Sequence, residues 1–213
     1  MADQVKQVWE EQAQIDLSVY QDQKIANIVL AGMGGSALGA DLVKNLYKDS
    51  LPVPLEICKD YTLPQYVDQN TLVILSSYSG STEETINCAK EAEQKKAMIA
   101  VITAGGKLAQ LSQAKNYPHY LINPKFNPSN QPRMATAYNV MALLMMLKKL
   151  KLIKFSEEDL GQILDAINAT TQRCLVEVPQ EKNQAKILAY LFIERRPILI
   201  GAEFLEGALH IAT

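Results

Sequence analysis

The sequence predicts an α/β protein: a doubly wound, five-stranded parallel sheet flanked by helices, then a helical connector and the start of a second α/β unit. Two observations predict the sheet. Five short runs, 27–31, 53–58, 71–75, 97–103 and 117–122, are apolar almost throughout, as strands buried on both faces are. Helical patterns lie between most of them, and strands alternating with helices imply right-handed crossovers. A third observation predicts the second unit: residues 198–202 (ILIGA) repeat the character of 28–32 (IVLAG), a short apolar run meeting a glycine.

Residues 2–20 place Val5, Val8, Trp9, Ala13 and Leu17 at helical spacing, so an amphipathic lead-in helix is expected within 1–24. The sheet domain follows over 25–135. Residues 135–150 are apolar on nearly every side apart from a lysine-rich end, which predicts a helix buried on several faces. Ser156 followed by Glu157, Glu158 and Asp159 reads as a cap and an acidic first turn, opening a helix to about 176, and 180–194 reads as another. Together 136–194 make a connector. The unit begun at 195–213 holds one strand and one helix, which cannot bury their own apolar surfaces, so a piece of a longer chain is expected.

Bulk properties narrow the classes. At 213 residues, 48% hydrophobic and 21% charged, the chain suits one globular domain and part of another, not a disordered or fibrous protein. A formal charge of -2, with no basic cluster denser than Lys148, Lys149, Lys151 and Lys154, argues against nucleic acid. The N-terminus has no apolar signal core and no run of 18 apolar residues occurs, so neither export nor a membrane is expected. Cys58, Cys88 and Cys174 form no CxxC pair and lie in apolar segments, which predicts buried reduced thiols and a cytoplasmic protein.

A doubly wound sheet binds ligands beyond the carboxyl ends of its strands, so the loops after strands one, three and five are the ones to search. The first, Gly32-Met33-Gly34-Gly35-Ser36, follows an apolar strand and opens a helix; its glycines permit close backbone approach and the helix dipole favours an anion. It also fits a dinucleotide pattern through Gly32, Gly34 and Ala37, with Glu56 near the place of a ribose-binding acid; Glu56, however, falls inside the second strand and not at its tip. The loop could equally be a tight turn without a ligand. The second, Ser76-Ser77-Tyr78-Ser79-Gly80-Ser81-Thr82, again leads into a helix. One hydroxyl suffices for a cap; Ser77, Ser79, Ser81 and Thr82 around one glycine exceed that need and suit a phosphate.

The pairing of GMGGS after strand one with SSYSGSTEET after strand three resembles the sugar isomerase (SIS) domain, whose serine-rich loop holds the phosphate of a phosphosugar. More closely it resembles the bifunctional phosphoglucose/phosphomannose isomerases, which also carry a Pro-Arg pair after strand five, here Pro132 and Arg133. The resemblance runs from about residue 25 to the end. It implies that Ser77, Ser79 and Thr82 contact the phosphate, that Gly34, Gly35 and Ser36 line the sugar, and that Arg133 stands by the reacting carbons. It implies glucose 6-phosphate or mannose 6-phosphate as the phosphosugar, fructose 6-phosphate as product, and no metal or organic cofactor; a homodimer is expected from the apolar helix over Met141 to Leu147 and the missing half-domain. A non-catalytic sugar-phosphate-sensing module would share the same cage.

Shifting a proton between C1 and C2 needs a base, an acid to open the ring and a positive group near the enediolate oxygens. Arg133 can supply only the last, because guanidinium keeps its proton. The family's base and acid, a glutamate and a histidine of the second domain, have no matching segment here. Glu203 and Glu206 stand upstream of that place, and neither takes the role. His210 reads as a packing residue and His119 as part of a strand edge.

Overall fold

The computed structural model describes residues 1–202 and 205–212; Glu203 and the side chain of Glu206 lie outside the described residues. Its centre is a five-stranded sheet, β1 (Asn27–Gly32), β2 (Leu55–Cys58), β3 (Thr71–Ser77), β4 (Met98–Thr103) and β5 (His119–Leu121), in the order β2-β1-β3-β4-β5 with every pair parallel. All five expected strands form. The second and fifth are shorter than the apolar runs, since Pro54 and Pro118 cannot donate to a ladder and mark where pairing starts.

Side chains alternate across the sheet as a period of two requires. Ile28, Leu30, Leu72, Ile74, Ala100 and Ile102 face one core, while Val29, Ala31, Val73, Leu75, Ile99 and Val101 face the other. The second core is closed by α3 (Glu83–Gln94) and α4 (Gly106–Lys115), through Cys88, Ala89, Ala92 and Leu108. The first is closed by α1 (Ala2–Glu11), α2 (Gly35–Leu46) and α5 (Thr136–Lys149). Helix α5 is buried from Thr136 to Asn139 and from Met141 to Leu147, as its all-round apolar sequence required; Lys148, at its polar end, lies 4.3 Å over the Trp9 ring.

The lead-in helix is shorter than expected. It ends at Glu11, and two single 3-10 turns, Gln12–Gln14 and Ser18–Tyr20, follow. The Asp16 side chain accepts from the Ser18 amide at 2.9 Å, a local bond that competes with helix continuation. Ala13 is therefore exposed, and Ile15 with Leu17 enters the core instead. Helix α1 also anchors the chain after β5: buried Gln4 donates to the carbonyls of Phe126 and Met134, both at 2.9 Å, and Gln7 to that of Asn123 at 3.0 Å.

In the connector, Ser156 and Asp159 form the expected capping box and open α6 (Glu157–Arg173). The segment expected as one helix over 180–194 is a 3-10 turn, Gln180–Lys182, then α7 (Gln184–Phe192), because Asn183 caps the second helix by accepting from the Lys186 amide. Residues 198–200, expected as a strand, have no strand beside them; Ile198 and Ile200 are 83% and 89% exposed, and one strand has nothing to pair with. Helix α8 (Glu206–Ala212) crosses α2 closely, since a Cβ on Gly207 would lie 2.8 Å from the Asp41 carbonyl carbon.

Candidate functional site

The loop after β3 turns at Gly80, whose φ is +66°. A side chain there would place its Cβ 1.7 Å from the Gly105 carbonyl oxygen, so glycine serves both the turn and the contact. Ser77 is buried and its hydroxyl accepts from the Gly80 amide at 3.1 Å. Helix α3 then begins at Thr82, which makes no side-chain bond to the helix it precedes; its hydroxyl lies 2.7 Å from that of Ser77. One bond between two hydroxyls uses one proton and leaves the other for an incoming acceptor. Ser79 is exposed, and its oxygen accepts from the Ser81 amide at 3.3 Å, so its proton is also directed elsewhere. The hydroxyls thus surround a helix N-terminus without capping it, and the positive end of the dipole is presented to an anion.

No ammonium or carboxylate occurs within Ser76-Ser77-Tyr78-Ser79-Gly80-Ser81-Thr82, so this cage is neutral. Two carboxylates, Glu83 and Glu84, follow in the first turn of α3; the charge of Glu84, and to a smaller extent that of Glu83, pushes the Tyr61 phenol up.

The loop after β1 is built differently. Helix α2 opens behind Gly34, at φ 49°, and nothing lies within 4 Å of where its Cβ would stand. A Cβ on Gly35 would come within 3.1 Å of the Arg133 amide nitrogen and 3.2 Å of the Pro132 carbonyl carbon. Gly35 thereby seats the turn Pro132–Ala135 directly on α2. Ser36 is buried; its hydroxyl accepts from the Tyr78 amide at 3.0 Å, and its carbonyl accepts from Ser76 Oγ at 3.0 Å. The hydroxyl expected to line a sugar ties the first loop to the third.

A fourth loop belongs to the site and was absent from the expectation. After β4 come Ala104, Gly105 and Gly106; Ala104 donates to the Tyr78 carbonyl at 3.0 Å and Leu108 to that of Gly80 at 2.9 Å. A Cβ on Gly106, at φ +66°, would stand 2.3 Å from the Ser79 carbonyl. Its signal was in plain sight, a Gly-Gly pair between an apolar strand and a helix. Tyr78, Ser79, Ala104, Gly105, Gly106, Asn130 and Pro132 line an open cavity of about 400 Å³.

The sequence of residues 21–149 matches the family model of the SIS domain. The chain belongs to the SIS domain family. It is 36% identical over 202 residues to the bifunctional phosphoglucose/phosphomannose isomerase of Caldicellulosiruptor bescii, covering 94% of this chain and 58% of that protein. It is 38% identical over 119 residues to the bifunctional phosphoglucose/phosphomannose isomerase of Thermoplasma acidophilum, covering 56% of this chain and 35% of that one. The chain therefore spans less than two thirds of the length of either relative. The fold also matches the tagatose-6-phosphate ketose/aldose isomerase of Escherichia coli, with a TM-score of 0.58 at 16% identity, over 98% of this chain and 56% of that one.

Within this SIS domain, Ser77, Ser79 and Thr82 stand together, with Gly34, Gly35 and Ser36 on the adjoining loop. Arg133 is exposed and makes no side-chain hydrogen bond among the described residues. Its neighbour Pro132 lines the cavity beside Ser79, whereas Arg133 lines a separate apolar groove with Met134, Val140, Met141 and Ile163. Glu56, the acid of the dinucleotide pattern, lies within β2 and accepts from the Tyr66 hydroxyl at 2.5 Å.

His210 is not a packing residue: it is exposed and its Nδ1 lies 3.3 Å from Asp41 Oδ2, a carboxylate that Lys59 also reaches at 3.1 Å. His119 sits in β5 with Nδ1 2.7 Å from the Tyr117 carbonyl. Cys58 and Cys88 are buried as expected; Cys174 is half-buried. The Cys88 thiol beside Cys58 brings the latter down to about 7, and the same hydrogen bond pushes Cys88 up.

Proposed function

We propose that this chain is the phosphosugar-binding portion of an aldose-ketose isomerase that converts glucose 6-phosphate or mannose 6-phosphate to fructose 6-phosphate. The observation that carries the reading is the uncapped start of α3, ringed by hydroxyls that cap nothing. In this reading the phosphate sits at that N-terminus. It accepts from the first-turn amides, from Ser79 and from whichever of Ser77 and Thr82 has its proton free. Gly34 and Gly35 leave room for the sugar, and Ser36 acts behind them by holding the two loops in register.

The sugar extends into the cavity walled by Asn130 and Pro132. Isomerisation then moves a proton between C1 and C2 through an enediolate, and Arg133, reoriented from the groove, stabilises the oxygen charge that develops. The base and acid belong to sequence beyond Thr213, and the working form is a cytoplasmic homodimer. Names of relatives support the reaction class, and the cage supports the phosphate.

The test has two measurements. Calorimetric titration of this chain with fructose 6-phosphate should show saturable binding, and titration with NAD should show none. A coupled assay for glucose 6-phosphate should then give turnover for the chain extended to the relatives' length and only background for residues 1–213, because a missing base and acid cost about 10²–10⁴ each. Binding of NAD in preference to the sugar phosphate would overturn the reading. Binding without turnover by the extended chain would mark a sensing module instead.

A further inference from the structure

Tyr78 touches every loop of the site. Its amide donates to Ser36 Oγ after β1 at 3.0 Å, and its carbonyl accepts from Ala104 after β4 at 3.0 Å. Its side chain is buried, 5% exposed, and crosses to the loop after β5. There the hydroxyl accepts from Asn127 Nδ2 at 2.9 Å and donates to Asn130 Oδ1 at 3.2 Å. Asn127 is itself buried and fully engaged: its amide also donates to the Gln131 carbonyl at 3.0 Å, and its oxygen accepts from Ser129 Oγ at 2.8 Å. Asn130 holds a left-handed φ of 52°, a conformation that costs little for asparagine but needs a reason. The bond from Tyr78 supplies one.

These bonds fix a distance. The cavity has two walls, Ser79 with Gly105 and Gly106 on one side, Asn130 and Pro132 on the other. The backbone of Tyr78 belongs to the first wall and its hydroxyl holds the second. With its Oδ1 engaged by Tyr78, the Asn130 amide has its Nδ2 left to donate, and asparagine has two such hydrogens. Gln4 of α1 donates to the carbonyls of both Phe126 and Met134, so α1 holds segment 127–133 at its two ends, and Tyr78 holds it from within through Asn127 and Asn130.

The geometry points to Tyr78 as a positioning residue: its hydroxyl sets the Asn130 wall at the spacing from the hydroxyl cage that lets one ligand reach both. The inference rests on the phosphosugar reading above and adds to it a division of labour. The cage binds the phosphate, and Tyr78 determines how well the rest of the sugar is held.

Calorimetry with two probes, inorganic phosphate and fructose 6-phosphate, tests it on the 213-residue chain. Tyr78→Phe keeps the backbone bonds to Ser36 and Ala104, so phosphate affinity should stay within about twofold. Fructose 6-phosphate affinity should fall about three- to tenfold, the effect of losing one net hydrogen bond. Asn130→Ala, at an exposed position, removes both that link and the wall's own amide donor, so fructose 6-phosphate affinity should fall at least as far, and the double variant should be no worse than Asn130→Ala alone. Should Tyr78→Phe fail to fold, Asn130→Ala still reads whether this wall serves the sugar and not the phosphate. Unchanged affinity for both probes in either variant overturns the inference. So does an equal loss for both probes, which would make Tyr78 a support of the cage alone. A wild-type chain that binds neither probe overturns the phosphosugar reading itself, and the inference with it.

Discussion

After β1 and after β3 the chain follows the same course, from a buried strand through a glycine at positive φ into a helix. Yet Gly34 has no atom within 4 Å of where its Cβ would stand, and Gly80 has a carbonyl oxygen at 1.7 Å. The hydroxyls divide in the same way. Ser36 of the first loop is buried and bonded to Tyr78, whereas Ser79 of the third is exposed and Thr82 caps nothing. On the reading proposed above, the loop after β1 is a spacer and the loop after β3 a receptor. What separates them is where each side chain is already engaged, not how many glycines or serines they contain.

The largest effect should come from testing the glycines against each other. Gly80→Ala carries both a left-handed φ and a backbone overlap, and should destabilise the fold by about 2–4 kcal/mol in a urea titration. A loss under about 1 kcal/mol would mean the third and fourth loops are less tightly joined than described. Next come the hydroxyls of the receptor loop. Ser79→Ala and Thr82→Val should each weaken fructose 6-phosphate binding by about 1.5–3 kcal/mol, the range for a bond to a charged group. For exposed Ser79 the unfolding midpoint should hardly move. Equal affinity in wild type and variants would reduce the loop to a plain helix start.

Ser36→Ala should show the opposite balance. It leaves the buried Tyr78 amide without its acceptor, so stability should fall by about 1–3 kcal/mol, while affinity changes only as far as the loops shift. A pure binding defect in this variant would restore Ser36 to the sugar-lining role that the sequence pattern implied. The last variant is Gly34→Ala: with open space around it, only the backbone cost of alanine at φ 49°, ψ -128° remains, about 1–3 kcal/mol. A larger loss of ligand affinity than of stability there would indicate that a ligand approaches this backbone closely.

The sheet was legible in the sequence because strands buried on both faces leave apolar runs, clean in β1, β3 and β4 and broken by Glu56 and His119 only in the edge strands β2 and β5. The serine loop was legible because its hydroxyls outnumber what one cap needs. Ser36 was not, since a serine behind glycines looks the same whether it faces a ligand or accepts from an amide 42 residues away. The loop after β4 escaped because its contribution is backbone, with open space at Gly105 and close backbone approach at Gly106, which no side-chain chemistry advertises. The helix end at Glu11 depended on one Asp16 bond that helical spacing does not register.

The strand order has a kinetic consequence. No two neighbouring strands are joined by a hairpin; β1 pairs with β2 across a helix, and with β3 only after β2 has been placed outside it. Every pairing must close a long loop before it is rewarded, which makes for slow refolding by comparison with a local topology. The cage and its walls come from the ends of β1, β3, β4 and β5, so a sheet that lacks any of these four strands cannot contain them. After dilution from denaturant, the protein's ability to hold a sugar phosphate should return with the slowest phase and not with the first burst of helix signal.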